Sequence, residues 1–156
     1  MKEKLLARKL LTDAESALVK RFDIDLFIIH PTLDPSRIEE ALGLTAEVVH
    51  RVGDRRKTPN GRLLEGTYRD TRWRHKRRFE TAGQHFAQRI IELLGDIEAH
   101  RGFFHELRTA GGSACVILQL LGDGYLGDTL SQEALKRLAD LQLDFGIECY
   151  IEPQSD

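Results

Sequence analysis

The side chains of this sequence whose types could do chemistry fall into five groups. They are a GDGYLG stretch at 122–127, two histidines beside glutamates, a histidine before a proline, two cysteines, and aspartates at alternate positions of FDIDLFII (22–29). GDGYLG fits the glycine pattern of a dinucleotide fingerprint and follows a strand-like run. In that fingerprint the helix begins inside the motif, so that its N-terminus meets the pyrophosphate. Here Asp128-Thr129-Leu130-Ser131 intervene, and Asp123 and Asp128 repel phosphate, so nucleotide binding is not expected. His100 and His105, beside Glu98 and Glu106, are metal-ligand types at a spacing of five. Two ligands share a helix face only at a spacing of three or four, so these read as surface histidines, and no metal or other cofactor is expected. His30, ahead of Pro31, reads as a half-buried imidazole, with a functional loop residue as the alternative. Cys115 and Cys149 lie in apolar strand-like runs, where a reduced thiol packs as a small hydrophobe. Asp23, Asp25, Glu148 and Glu152 would converge on one sheet face if the first and last strands were neighbours. Clustered carboxylates can do acid-base or metal work, but solvation is their commoner role. The sequence contains no nucleophile elbow, zinc helix signature or phosphate loop, which points away from an enzyme.

Charge gives the strongest signal. Between Arg51 and Arg78 eleven basic residues face three acidic ones, a local +8 in a chain of net charge −2, so the remainder carries −10. Such a layout marks either a surface for polyanions or a basic segment folded on the protein's own acidic face. The candidate partner- or anion-binding residues are Arg55, Arg56, Lys57, Arg72, Trp73, Arg74, Arg77 and Arg78. On nucleic acid the cations would meet phosphates while Trp73 stacks a base. On a protein partner the same residues would form a hot spot for an acidic surface. As structure, Trp73 would plug the core edge. The overall negative charge favours a protein partner, or a second copy of the chain, over nucleic acid.

The elements that must position these residues follow from periodicity. Leu6, Leu10, Ala14 and Leu18 recur every four residues, so 1–21 reads as an N-terminal helical extension, with Thr12 and Glu15 as a capping box midway. FDIDLFII alternates as a strand with Phe22, Ile24, Leu26 and Ile28 inward. Asp34 and Pro35 then start a helix that stops near Gly43. A strand at 47–52 and one after the Asn60-Gly61 turn suggest a hairpin over 47–68 with a long tip. Phe79, Phe86, Ile90, Leu93 and Ile97 predict a long helix from about 76, broken near Gly95 or Gly102, with a second helical piece ending at Ala110-Gly111-Gly112. A strand at 114–121, apolar on both faces, a helix at 131–141 and an alternating strand at 144–152 complete the chain. In the last strand Phe145, Ile147, Cys149 and Ile151 are expected to face in.

This order predicts an α+β sandwich of ferredoxin-like style, a mixed sheet with helices on one face, forming a single domain over 22–156. The two strand-loop-helix units align Asp34 with Ser131 and Ile38 with Leu135. Either a duplicated β-α-β unit or the common look of capped amphipathic helices accounts for that. The content of 41% apolar and 31% charged residues in 156 suits one soluble core. No apolar run approaches the ~20 residues that span a bilayer, so no membrane contact and a cytoplasmic setting are expected.

Four segments together, LDPSRIEEALGL, VGDRRKTPNGRLLEGTYRDTRW, IIELLGDI and LSQEALKRLADLQLDFGIECYIE, resemble the uncharacterised bacterial family called domain of unknown function 4279. The likeness spans 22–151 and rests on the Asp-Pro helix start, Gly53, Trp73 and Tyr150, with RHKRR after Trp73 as a departure. It implies the fold order and a prokaryotic cytoplasmic setting, and it brings no catalytic residue. The expectation is a non-enzymatic binding or protein-protein interaction module, of which an immunity-type inhibitor is one form. A nucleic-acid-binding protein using 51–78 and a small metal- or acid-dependent enzyme are the alternatives.

Overall fold

The computed structural model of the chain describes residues 21–80, 85–121 and 126–150. The expected N-terminal helix, the glycines of GDGYLG up to Gly124 and the inward Ile151 lie outside these residues. Strand β1 (Arg21–His30) is central and pairs antiparallel with β5 (Thr71–Phe79) on one side and β6 (Ser113–Leu121) on the other. The short β2 (Val48–His50) adds antiparallel to β5, and β7 (Asp144–Cys149) adds parallel to β6. The result is a mixed five-stranded sheet in the order β2-β5-β1-β6-β7, with β3 (Arg55–Lys57) and β4 (Leu63–Thr67) forming a separate two-stranded sheet. Helices α1 (Pro35–Leu42), α2 (Phe86–Ile97), α3 (Arg101–Thr109) and α4 (Gln132–Asp140) complete the α+β fold, with a 3-10 turn at Glu98–His100 between α2 and α3.

The helices pack on the sheet face that carries Phe22, Ile24, Leu26 and Ile28, all fully buried, as the alternation predicts. Ile38 of α1, Ile90, Leu93, Leu94 and Ile97 of α2, and Phe104 and Leu107 of α3 close on Trp73, Val116 and Leu118. Each such side chain contributes about 1.5–3 kcal/mol on leaving water. The helix starts are built as expected. The Asp34 carboxylate accepts from the Ser36 N–H, Pro35 occupies the first turn, and Gly43 caps the end with φ 65°. Ser131 accepts from the Ala134 N–H at the start of α4.

Three expectations need correction. The chain after Trp73 is a strand to Phe79, and the helix begins only at Phe86. The alternation there places Trp73 towards the helices and Arg74, Lys76 and Arg78 on the other face, so the even positions share one charged row. The hairpin expected over 47–68 divides: β2 pairs with β5, and the turn-rich tip forms its own β3–β4 ladder. In β7, Phe145, Ile147 and Cys149 keep the expected parity, opposite Val116, Leu118 and Leu120, yet Ile147 is 61% exposed and Cys149 is exposed as well. An edge strand has a neighbour on one side only. The two strand-helix-strand units also differ in path, since β5 separates β1 from β2 whereas β6 and β7 are adjacent.

Candidate functional site

The basic segment splits into two parts with different surroundings. Along β5 the cations are matched to acids of the same molecule. The register sets Asp23 opposite Arg78, Asp25 opposite Lys76, and Phe27 opposite Arg74. Arg78 donates from Nε and Nη2 to the two Asp23 oxygens at 2.9 Å each, and Lys76 Nζ lies 3.4 Å from Asp23 Oδ2. Such a paired geometry is the strong form of a carboxylate–guanidinium contact. Arg74 Nε is 3.4 Å from Asp25 Oδ2, and its guanidinium sits 5.0 Å from the Phe27 ring centre. On the helix side Arg77 donates to Asp96 Oδ2 at 2.8 Å and to His75 Nε2 at 3.2 Å. His75 Nδ1 then donates to the Thr45 carbonyl at 2.8 Å, which fixes its tautomer. Arg72 donates to Asp70 at 2.8 Å. Trp73 is fully buried, as the core-edge reading has it, and presents no ring to a ligand.

The two aspartates on this face are both buried but titrate in opposite directions. Burial works against the Asp23 carboxylate, yet the hydrogen bonds and charges of Arg78 and Lys76 outweigh it and hold its pKa below the ordinary value. Burial dominates at Asp25 and raises its pKa, against the attraction of Lys76 and Arg74 and with Asp23 and Glu148 adding repulsion. Neither Asp25 oxygen has a hydrogen-bond partner, although Arg74 Nε lies 3.4 Å from Oδ2. Glu148 accepts from Gln119 at 2.6 Å on β7, two strands from β1, so Asp23, Asp25 and Glu148 share a face without forming one cluster, and Glu152 lies outside the described residues.

The β3–β4 hairpin is the other part. Arg55, Arg56 and Lys57 are all exposed and form no ion pair among the described residues; Arg55 reaches only the Leu64 carbonyl, at 3.5 Å. Tyr68 anchors the hairpin. Its hydroxyl accepts from the Lys57 N–H at 3.1 Å, its carbonyl accepts from the Gly53 N–H at 2.9 Å, and its ring stacks on His50 at 4.3 Å. Between hairpin and β2 runs a groove of about 790 Å³, lined by Val48, Val49, His50, Arg55, Lys57 and Tyr68 among others. Val48 and Val49 are 43% and 45% exposed, an apolar strip beside the cations. Of the eight residues singled out from sequence, the structure therefore brings Arg55 and Lys57 together at a groove, leaves Arg56 exposed between them in the strand but off the groove lining, and sets the other five apart from it. Val48, Val49, His50 and Tyr68 carry no local signal that marks them as site residues, although Asn60-Gly61 and the alternation around them signal a hairpin.

The remaining candidates lie away from the hairpin groove. His30 is buried, and its Nδ1 accepts from the Thr32 and Leu33 N–H groups at 3.0 and 2.8 Å, so it organises the turn before α1. Burial lowers its pKa. Cys115 is half-buried, and both cysteines are free thiols. No group of three metal-ligand side chains occurs among the described residues. Asp128 caps α2 by accepting from the Ala87 N–H at 3.0 Å.

No curated protein and no solved structure matches the chain. The model of the family described as Domain of unknown function (DUF4279) matches residues 20–152, and the chain belongs to that family.

Proposed function

We propose that this family member is a non-enzymatic binding module that takes an acidic partner protein at the hairpin end of its sheet. The observation that carries the reading is the division of the basic segment. The β5 cations are engaged by the protein's own carboxylates, whereas Arg55, Arg56 and Lys57 stand exposed without acidic partners among the described residues. Keeping three neighbouring like charges together is unfavourable unless something anionic arrives. The exposed Val48 and Val49 beside them give that partner an apolar contact, which suits a protein surface. A strand of nucleic acid would want open rings to stack on, but Trp73 is buried and His50 and Tyr68 stack on each other. An immunity-type inhibitor in a bacterial cytoplasm is one concrete form of such a module. We read the order β2-β5-β1-β6, alternating in direction, as ferredoxin-like with β7 added.

The test is fluorescence anisotropy with labelled poly-glutamate and with labelled duplex DNA, on the full chain and on the triple variant Arg55→Gln, Arg56→Gln, Lys57→Gln. Salt-sensitive binding of poly-glutamate that falls at least about tenfold in the variant supports the reading. Binding of DNA in preference to poly-glutamate would replace it with the nucleic-acid alternative, and binding unchanged in the variant would remove the hairpin from the site.

A further inference from the structure

Strand β5 offers its backbone as well as its side chains. β2 lies beside it only at Arg72–Arg74, so from His75 to Phe79 its outer edge has no strand neighbour among the described residues. The direction of the backbone groups there follows from one hydrogen bond. The Arg74 carbonyl accepts from the Glu47 N–H at 2.8 Å, so the peptide groups of Arg74 point outwards, towards β2. Backbone direction repeats every second residue along a strand, so the N–H and C=O groups of Lys76 and Arg78 point outwards too, while those of His75 and Arg77 face β1. A groove of about 440 Å³ runs along this edge, lined by Thr45, Ala46, Glu47, His75, Lys76 and Arg78. Glu47 also lines the hairpin groove, so the two adjoin.

We propose that the outer edge of β5 at Lys76–Arg78 takes an extended acidic segment of a partner protein by strand addition, in line with β2. The proposal deepens the binding reading and rests on it for the partner's charge; the backbone geometry is independent of it. Unpaired edge groups are a template for a further strand, and the side chains beside them choose which strand is accepted. A second copy meeting this edge in antiparallel register would set Lys76 against Arg78, like charge on like charge. An acidic residue opposite Lys76 faces attraction instead. Arg78 already holds Asp23 through both nitrogens, so Lys76, 3.4 Å from the same carboxylate, can turn to an incoming acid without leaving Asp23 unpaired. Alternate residues of the added strand would face Thr45 and Ala46, where small or β-branched side chains fit, and Glu47 disfavours a further acid at the β2 end. The fitting segment therefore alternates acidic with small or β-branched residues.

The test uses the full chain and a fluorescein-labelled peptide of alternating glutamate and valine. Residues opposite Lys76 and Arg78 direct their own N–H groups at the edge, so N-methylation of the glutamates blocks the ladder while N-methylation of the valines does not. The expected result is at least about tenfold weaker binding of the first methylated peptide, unchanged binding of the second, and new exchange protection of the Lys76 and Arg78 amides in the complex. Lys76→Gln should weaken the unmethylated peptide severalfold. Equal binding of both methylated peptides, no binding of the parent peptide, or protection confined to other residues would overturn the proposal. If binding is insensitive to methylation yet lost in the hairpin triple variant, strand addition fails while the hairpin reading stands; the converse pattern fails the hairpin alone.

Discussion

Replacing Asp25 with asparagine should make the protein more stable at neutral pH, the reverse of the usual outcome for a buried residue. The carboxylate is fully buried on the face away from the helices, and neither oxygen is hydrogen-bonded. Leaving a buried polar group unsatisfied costs ~1–3 kcal/mol, more when it is charged. Against this stands the attraction of Arg74 and Lys76, whose side chains are 26% and 21% exposed. Pairs that water still reaches contribute up to about 1 kcal/mol. Desolvation wins, in agreement with the raised pKa, and the neutral isostere should gain about 1 kcal/mol, or about 2–4 °C in Tm for a chain of this size. The pH dependence follows from the sign of the shift. With the folded pKa above the unfolded one, the folded state binds its proton first, so Asp25 lowers stability at neutral pH, and that penalty fades as pH falls through the folded pKa towards 3.8. Urea denaturation of both proteins at neutral pH and near pH 3.8 should therefore show an advantage for Asp25→Asn that disappears in acid. A variant less stable than the parent at neutral pH by more than about 1 kcal/mol would refute the reasoning, since the ion pairs would then outweigh desolvation.

Asp23 should behave oppositely: its lowered pKa contributes stability that is present at neutral pH and is lost as pH falls below 3.8. The acid limb of the parent's stability curve should be steeper than that of Asp23→Asn, and parallel limbs would contradict the Arg78 pairing. Gly112→Ala should destabilise by about 1–3 kcal/mol in the same assay. A Cβ there would lie 2.7 Å from His30 Cδ2 and 2.9 Å from the Leu107 carbonyl oxygen. Trp73 emission should be blue-shifted and resist acrylamide, and it should not change when an acidic peptide binds; efficient quenching would place the ring outside the core.

Much of this architecture can be read from local signals. The alternation of Phe22, Ile24, Leu26 and Ile28 defines β1, and Asp34-Pro35 with Gly43 brackets α1. β5 escapes the same logic because its inward positions include His75 and Arg77, so period two shows only in Trp73 and Phe79, and Phe79 falls in phase with the helical repeat that follows. Arg77 is tolerated on the helix side because its guanidinium pairs with Asp96 of α2. The charge asymmetry does foretell that some acidic surface must meet the basic segment. Which one it meets is set by the pairing of Asp23 with Arg78, 55 residues away. No local pattern encodes that register, and so the five β5 residues and the three hairpin residues look alike until the sheet is assembled.

The central claim is that the β5 arginines are held by the protein's own carboxylates while the hairpin cations await a partner. Nitrogen-15 spectra of the arginine Nε–H groups, recorded with and without the glutamate-valine peptide, test it most directly. The account predicts a Nε–H signal of Arg78 that exchanges slowly with water both before and after peptide is added, and signals of Arg55 and Arg56 that exchange fast in the free protein and shift on addition of peptide. Rapid exchange at Arg78 in the free protein, or a titration that moves Arg78 and leaves Arg55 and Arg56 unchanged, would contradict it.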